Sequence, residues 1–109
     1  MLLELIDKEE PDYIINYAAQ GEGAVSWKNS WRFFETNSVG LSKLVESLMK
    51  KKYLKNFIQI GTSEMYGSVK KPSDEDSKIF PSSPYAASKV AFDMYLKSVN
   101  KFLGFKMNI

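Results

Sequence analysis

The sequence predicts an α/β chain built on a parallel sheet with flanking helices, and three observations predict it. Two short apolar runs, Tyr13 to Ala19 and Asn56 to Ile60, have the length and composition of buried strands. Two longer stretches, about 31–52 and 84–102, repeat apolar residues at helical spacing. The order is helix, strand, helix, strand, loop, helix, strand, which is the order of parallel βαβ units. Right-handed crossovers would then place helices on both faces of the sheet.

Taken in order, residues 1–9 read as an amphipathic helix with Leu2, Leu3 and Ile6 on one side. Glu10-Pro11-Asp12 breaks it. The first strand run follows, and Gln20-Gly21-Glu22-Gly23 reads as a loop because paired glycines favour open backbone. Trp27 and Trp31 read as packing residues, although an aromatic near this loop could touch a ligand. In the next helix Phe34, Val39, Leu41, Leu44, Val45, Leu48 and Met49 form the expected apolar stripe. Lys50-Lys51-Lys52 suits its C-terminal end, where cations meet the negative end of the helix dipole. After the second strand comes Gly61-Thr62-Ser63-Glu64-Met65-Tyr66-Gly67, then a polar loop over 68–82. Ser82 or Ser83 caps the last helix, Pro84 suits its first turn and Leu103-Gly104 ends it. Lys106 to Ile109 begins a third strand.

Composition narrows the function classes. The 109 residues allow at most one small domain. Fifteen basic and thirteen acidic residues are mixed, at net charge +2, which gives nucleic-acid binding little support. With no cysteine and no histidine, disulfides, thiol catalysis, Ser-His-Asp chemistry and the usual zinc sites are excluded. No apolar run approaches the roughly 18 residues of a membrane span. The start is too short and too charged for a secretory signal, so the protein reads as cytoplasmic.

In a parallel α/β sheet the ligand crevice lies at the C-terminal ends of the strands. Gln20 to Gly23, Thr62 to Glu64 and the helix start at Tyr85 converge there. Tyr85 and Lys89 are spaced i, i+4, which puts both on one helix face. An ammonium one turn from a phenol favours the phenolate, a base able to take a proton from a sugar or alcohol hydroxyl. Alone, Tyr-x-x-x-Lys is equally a chance pair on a helix face. Thr62 and Ser63 could simply end a strand, and Glu64 could cap the following turn. Tyr66 and Gly67 read as packing and turn residues.

Ala18-Ala19-Gln20, Thr36-Asn37, Gly61 to Gly67 and Ser83-Pro84-Tyr85-Ala86-Ala87-Ser88-Lys89 resemble the extended short-chain dehydrogenase/reductase family. More narrowly they resemble its NAD-dependent sugar-nucleotide epimerases and dehydratases. Thr62-Ser63-Glu64-Met65-Tyr66-Gly67 looks most like the GDP-mannose 4,6-dehydratases. The UDP-glucuronate decarboxylases share Thr-Ser-Glu, the dTDP-glucose 4,6-dehydratases usually carry Thr-Asp-Glu, and the 4-epimerases normally lack the glutamate. The resemblance implies a Rossmann-type sheet, an NAD cofactor and a nucleotide-sugar substrate. It implies that Tyr85 deprotonates the sugar 4-hydroxyl while hydride leaves C4, and that Lys89 assists Tyr85 and binds the nicotinamide ribose. Thr62 would hydrogen-bond the same sugar oxygen, Glu64 would remove the C5 proton, and Ser63 or Glu64 would help water leave C6. Ala18, Ala19, Gln20, Thr36 and Asn37 would line the cofactor pocket. A homodimer through helices about 31–52 and 84–102 is also implied, although the same stripes must cover the sheet in any case.

Two departures qualify the resemblance. No Gly-x-x-Gly-x-x-Gly is present, nor the acidic residue that would hold the adenosine ribose and separate NAD from NADP. Residues 1–109 are therefore expected to be a partial cofactor-binding domain, incomplete at both ends, from an enzyme roughly three times longer. Glu22 also stands where dehydratases often have histidine, either reshaping the sugar pocket or serving as a loop charge. A nucleotide-sugar decarboxylase or 4-epimerase is the alternative within the family. A non-catalytic fragment that associates through its helices is the alternative outside it.

Overall fold

The computed structural model describes residues 1–109. Helix α1 spans Leu2–Glu9 and stops where Glu10 turns left-handed, at φ 45°, ahead of Pro11. Strand β1 spans Tyr13–Asn16, shorter than its apolar run. The Asn16 side chain ends it early, because its Oδ1 accepts from the Ala18 amide at 3.2 Å and turns the chain out of the ladder. Strands β2, Asn56–Gln59, and β3, Met107–Asn108, complete a parallel sheet of order β1-β2-β3. Tyr13 pairs with Asn56 and Phe57 with Met107.

The expected helix over 31–52 is a continuous helical run in three pieces. Helix α2, Ser30–Phe34, passes into a π-helical segment, Glu35–Gly40, and then into α3, Leu41–Leu48. A π turn bonds i to i+5 and so shifts the phase of everything before it. The apolar stripe is shifted accordingly. Leu41, Val45 and Leu48 are buried, but Val39 is 50% exposed and Phe34 is 37% exposed. Trp27 and Trp31, expected to pack, stand 68% and 58% exposed, with the Arg32 guanidinium over the Trp31 ring. The helix ends before the lysine run, and Lys51 instead reaches back to Asp7 at 3.0 Å. That contact, with a hydrogen bond from the Tyr53 hydroxyl, holds the Asp7 carboxyl below the usual range.

Helix α4, Pro84–Leu103, is capped by Ser83, whose Oγ accepts from the Ala86 amide at 3.1 Å. Gly104 closes it in the left-handed conformation. Helices α3 and α4 pack over the sheet face that carries Phe57. Phe57 meets Phe92 edge-on at 6.4 Å and Phe105 at 6.1 Å, among Val45, Leu48, Leu96 and Val99. The expected cover on both faces is not seen at β1, where Tyr13 and Ile15 alternate outward and remain 60% and 55% exposed. No helix is long and apolar enough to cross a membrane.

This asymmetry sets the effect of substitutions. Phe57→Ala should lower stability by about 3–5 kcal/mol through the cavity it leaves. Ile15→Ser, on the uncovered face, should change it by less than about 0.5 kcal/mol. Urea unfolding followed by far-ultraviolet circular dichroism measures both.

Candidate active site

Three segments meet at the C-terminal ends of β1 and β2. The first is the chain leaving β1, from Ala18 to Ser26. The Asn37 side chain holds it, accepting from the Gln20 amide at 2.8 Å and donating to the Gln20 carbonyl at 2.9 Å. Asn37 is fully buried in the π segment and also donates to Ser88 Oγ at 3.0 Å. Both of its amide hydrogens are used, and its side chain registers this loop against α4. Ala18, Ala19, Gln20 and Thr36 are exposed, as a lining role requires.

The second segment follows β2. Thr62 is extended, and its Oγ1 accepts from the Glu64 amide at 3.3 Å, opening the 3-10 turn Ser63–Tyr66. Gly67 closes this turn at φ 68°, where a side chain would also run into the Phe80 carbonyl. Ser63 and Glu64 are exposed. Glu64 does not cap its own turn with its carboxylate. Its Oε2 accepts instead from Ser83 Oγ at 3.3 Å, and it lies so close to Gly23 that an added Cβ would sit 2.8 Å away.

The third segment is the first turn of α4. The Tyr85 amide, which a helix start leaves without a helical partner, donates to Ser26 Oγ at 3.0 Å. Ser26 is fully buried and itself donates to the Gly23 carbonyl at 2.6 Å. The Tyr85 carbonyl accepts from Ser88 Oγ at 2.7 Å. Both bonds are made by backbone, which leaves the half-buried phenol for a ligand. One turn on, Lys89 is 3% exposed and donates from Nζ to the Ile60 carbonyl at 2.7 Å. Burial lowers its pKa, and the charge of Asp93 opposes that shift.

The structure thus gathers Glu64, Ser83, Gly23 and the Tyr85 turn at one place, with Lys89 beneath it on the same helix. Glu22 points to no partner: it is an exposed loop residue at φ 69°. The anchors Ser26, Ser83, Ser88 and Asp93 were not singled out from sequence as site residues. Ser83 and Ser88 carry a signal as the helix cap and as part of the Ser83–Lys89 motif, and Asp93 through its i+4 spacing from Lys89; Ser26 carries none. The site can hold a polyhydroxylated ligand against a phenol, a threonine hydroxyl and a carboxylate. For a nicotinamide cofactor, the exposed small residues at the end of β1 and the free Tyr85 phenol suit the nicotinamide-ribose end. The chain offers no glycine-rich turn for its phosphates.

The family model for GDP-mannose 4,6 dehydratase matches residues 1–109. The dTDP-D-glucose 4,6-dehydratase of Dictyostelium discoideum is 33% identical over 93% of this chain. Among solved structures, the dTDP-glucose 4,6-dehydratase of Streptomyces venezuelae, with NAD bound, superposes at TM-score 0.84 with 29% identity over 95% of this chain. The UDP-glucose 4-epimerase of Thermus thermophilus, in complex with NAD, superposes at 0.86 with 30% identity over 95%. The chain spans 26% of the length of the first relative, and 33% and 34% of the two solved chains. The sheet with its helices is the Rossmann-type fold of these neighbours, and the chain belongs to the GDP-mannose 4,6-dehydratase family of extended short-chain dehydrogenase/reductases.

Proposed function

We propose that this chain carries the catalytic strip of an NAD-dependent nucleotide-sugar 4,6-dehydratase, as the central part of a cofactor-binding domain. One observation carries the reading. Glu64 reaches across to Ser83, the cap of the helix turn that bears Tyr85, which brings a carboxylate to the turn that carries the phenol. Dehydration needs two bases at adjacent sugar carbons, and epimerisation at C4 needs only one.

A bound NAD would supply a reversible hydride acceptor for the sugar. Ala18, Ala19, Gln20 and Thr36 would hold its nicotinamide end, with Lys89 at the ribose and Asn37 positioning the loop from behind. Tyr85 takes the 4-hydroxyl proton, assisted by the buried ammonium of Lys89. Thr62 hydrogen-bonds the same oxygen. The ketone at C4 makes the C5 proton acidic, and Glu64 removes it. The C6 hydroxyl leaves as water with a proton supplied by Ser63 or Glu64. A cytoplasmic location accompanies this reading and agrees with a chain that has no cysteine.

We also propose that the chain self-associates through the helical run over about 31–52 and α4, about 84–102. Val39, Met49, Tyr95 and Leu103 line a groove between them, and Leu103 is 70% exposed. Sedimentation should find a dimer that Val39→Glu converts to a monomer.

The enzymatic reading has two tests. Titrating NADH with the purified chain should give saturable cofactor fluorescence, and a folded chain that binds none would overturn the reading for the chain itself. With NAD and a GDP-, dTDP- or UDP-hexose, mass spectrometry should find a product lighter by one water. Glu64→Gln should slow water loss by about 100-fold or more while oxidation at C4 persists. Equal loss of both steps would contradict the role of Glu64. A C4-inverted product of unchanged mass would indicate the epimerase, and released carbon dioxide from a uronic-acid substrate the decarboxylase.

A further inference from the structure

Asp93 is a carboxylate that none of the chemistry above uses. It is 1% exposed, and neither of its oxygens has a hydrogen-bond partner. It lies on α4 one turn after Lys89 and two after Tyr85, so the three share a helix face. Its Oδ2 lies under the C-terminal end of β2, where a Cβ on Gly61 would sit 3.6 Å away. Lys89 is buried as deeply and uses one of its three ammonium protons, on the Ile60 carbonyl.

Neither group is stable alone in such surroundings. A buried ammonium with one partner tends to shed its proton, and a buried carboxylate with none tends to take one. They form no direct ion pair, but one helix turn apart each offsets the burial of the other through the field between them, and removing one leaves the other's charge uncompensated. We propose that Asp93 is a positioning residue that acts through Lys89, keeping the ammonium charged and seated on the Ile60 carbonyl so that it faces Tyr85 as a cation. The proposal rests on the catalytic reading of Tyr85 and Lys89, which it deepens.

The other charges around Asp93 do not replace this pairing. Lys97 follows on the same helix, and Glu75 and Tyr66 line the same cavity, of about 350 Å³. Burial pushes the Asp93 carboxyl up to about 6, against the pull of Lys89 first and Lys97 second. Above that pH Asp93 is ionised and supports Lys89. Below it the ammonium keeps only the carbonyl.

Lysine labelled with carbon-13 at Cε reads this directly by NMR, with the Lys89 signal assigned through Lys89→Arg. In the native chain the Lys89 signal should show a step near pH 6, where Asp93 titrates, as well as its own deprotonation. Asp93→Asn should abolish the step and move Lys89 deprotonation to lower pH, and Asp93→Glu should keep both features. An unchanged Lys89 midpoint in Asp93→Asn would overturn the proposal. If Asp93→Asn fails to fold, the native chain decides, since a Lys89 signal with no step would equally overturn it. Coupling that is present in a chain that binds no NADH would sustain the pairing and overturn only the catalytic reading.

Discussion

The hydrogen bond from Lys89 Nζ to the Ile60 carbonyl, 2.7 Å long, joins the two halves on which the candidate site depends. Ile60 stands at the end of β2, where the sheet hands over to the Thr62–Glu64 turn. Lys89 stands on the helix that carries Tyr85. Gln59 also donates to that carbonyl, at 3.1 Å, and is itself buried. Two donors on one carbonyl fix the strand end, because a carbonyl whose two lone pairs are both satisfied gains nothing by moving toward solvent. The placement of Glu64 relative to Tyr85 follows from this junction.

A second junction does the same for the loop after β1. Asn37 closes a two-bond ring with the Gln20 backbone and passes a third bond to Ser88, while Ser38 Oγ donates to the Ser88 carbonyl at 2.6 Å. An amide side chain can serve backbone on one side and a hydroxyl on the other only when it points into the structure. The π segment supplies that direction. The same rotation that buries Asn37 turns Val39 outward. The apolar stripe is interrupted so that a polar residue can sit at the centre of a network, which is a common use of π turns.

The packing that supports these junctions lies on one side of the sheet. Phe57, Phe92, Phe105 and the aliphatic residues of α3 and α4 form the core there. Parallel strands bonded only to themselves present two apolar faces, and burying one leaves the other open to a further layer. Tyr13 and Ile15 occupy that open face. The chain, about one third the length of the solved relatives, keeps their fold over 95% of its own residues with this face open.

Much of this was legible from residues alone. Tyr85 and Lys89 share a helix face because of their spacing, Ser83-Pro84 opens that helix and Gly104 ends it. These are local properties, governed by backbone geometry over a few residues, and they survive in the structure. Strand identity was equally local, and so was the parallel topology, since long connections between short apolar runs permit little else. The tertiary structure decided what depends on residues distant in the chain. It set the early end of β1 at Asn16, the burial of Asn37, the exposure of the two tryptophans, the reach of Glu64 to Ser83 and the clamp of Ser26 on Tyr85. Each involves a side chain choosing among several possible polar partners, or a face choosing between core and solvent. Periodicity carries no information about such choices when partners lie tens of residues apart, because only the folded chain brings them within bonding distance.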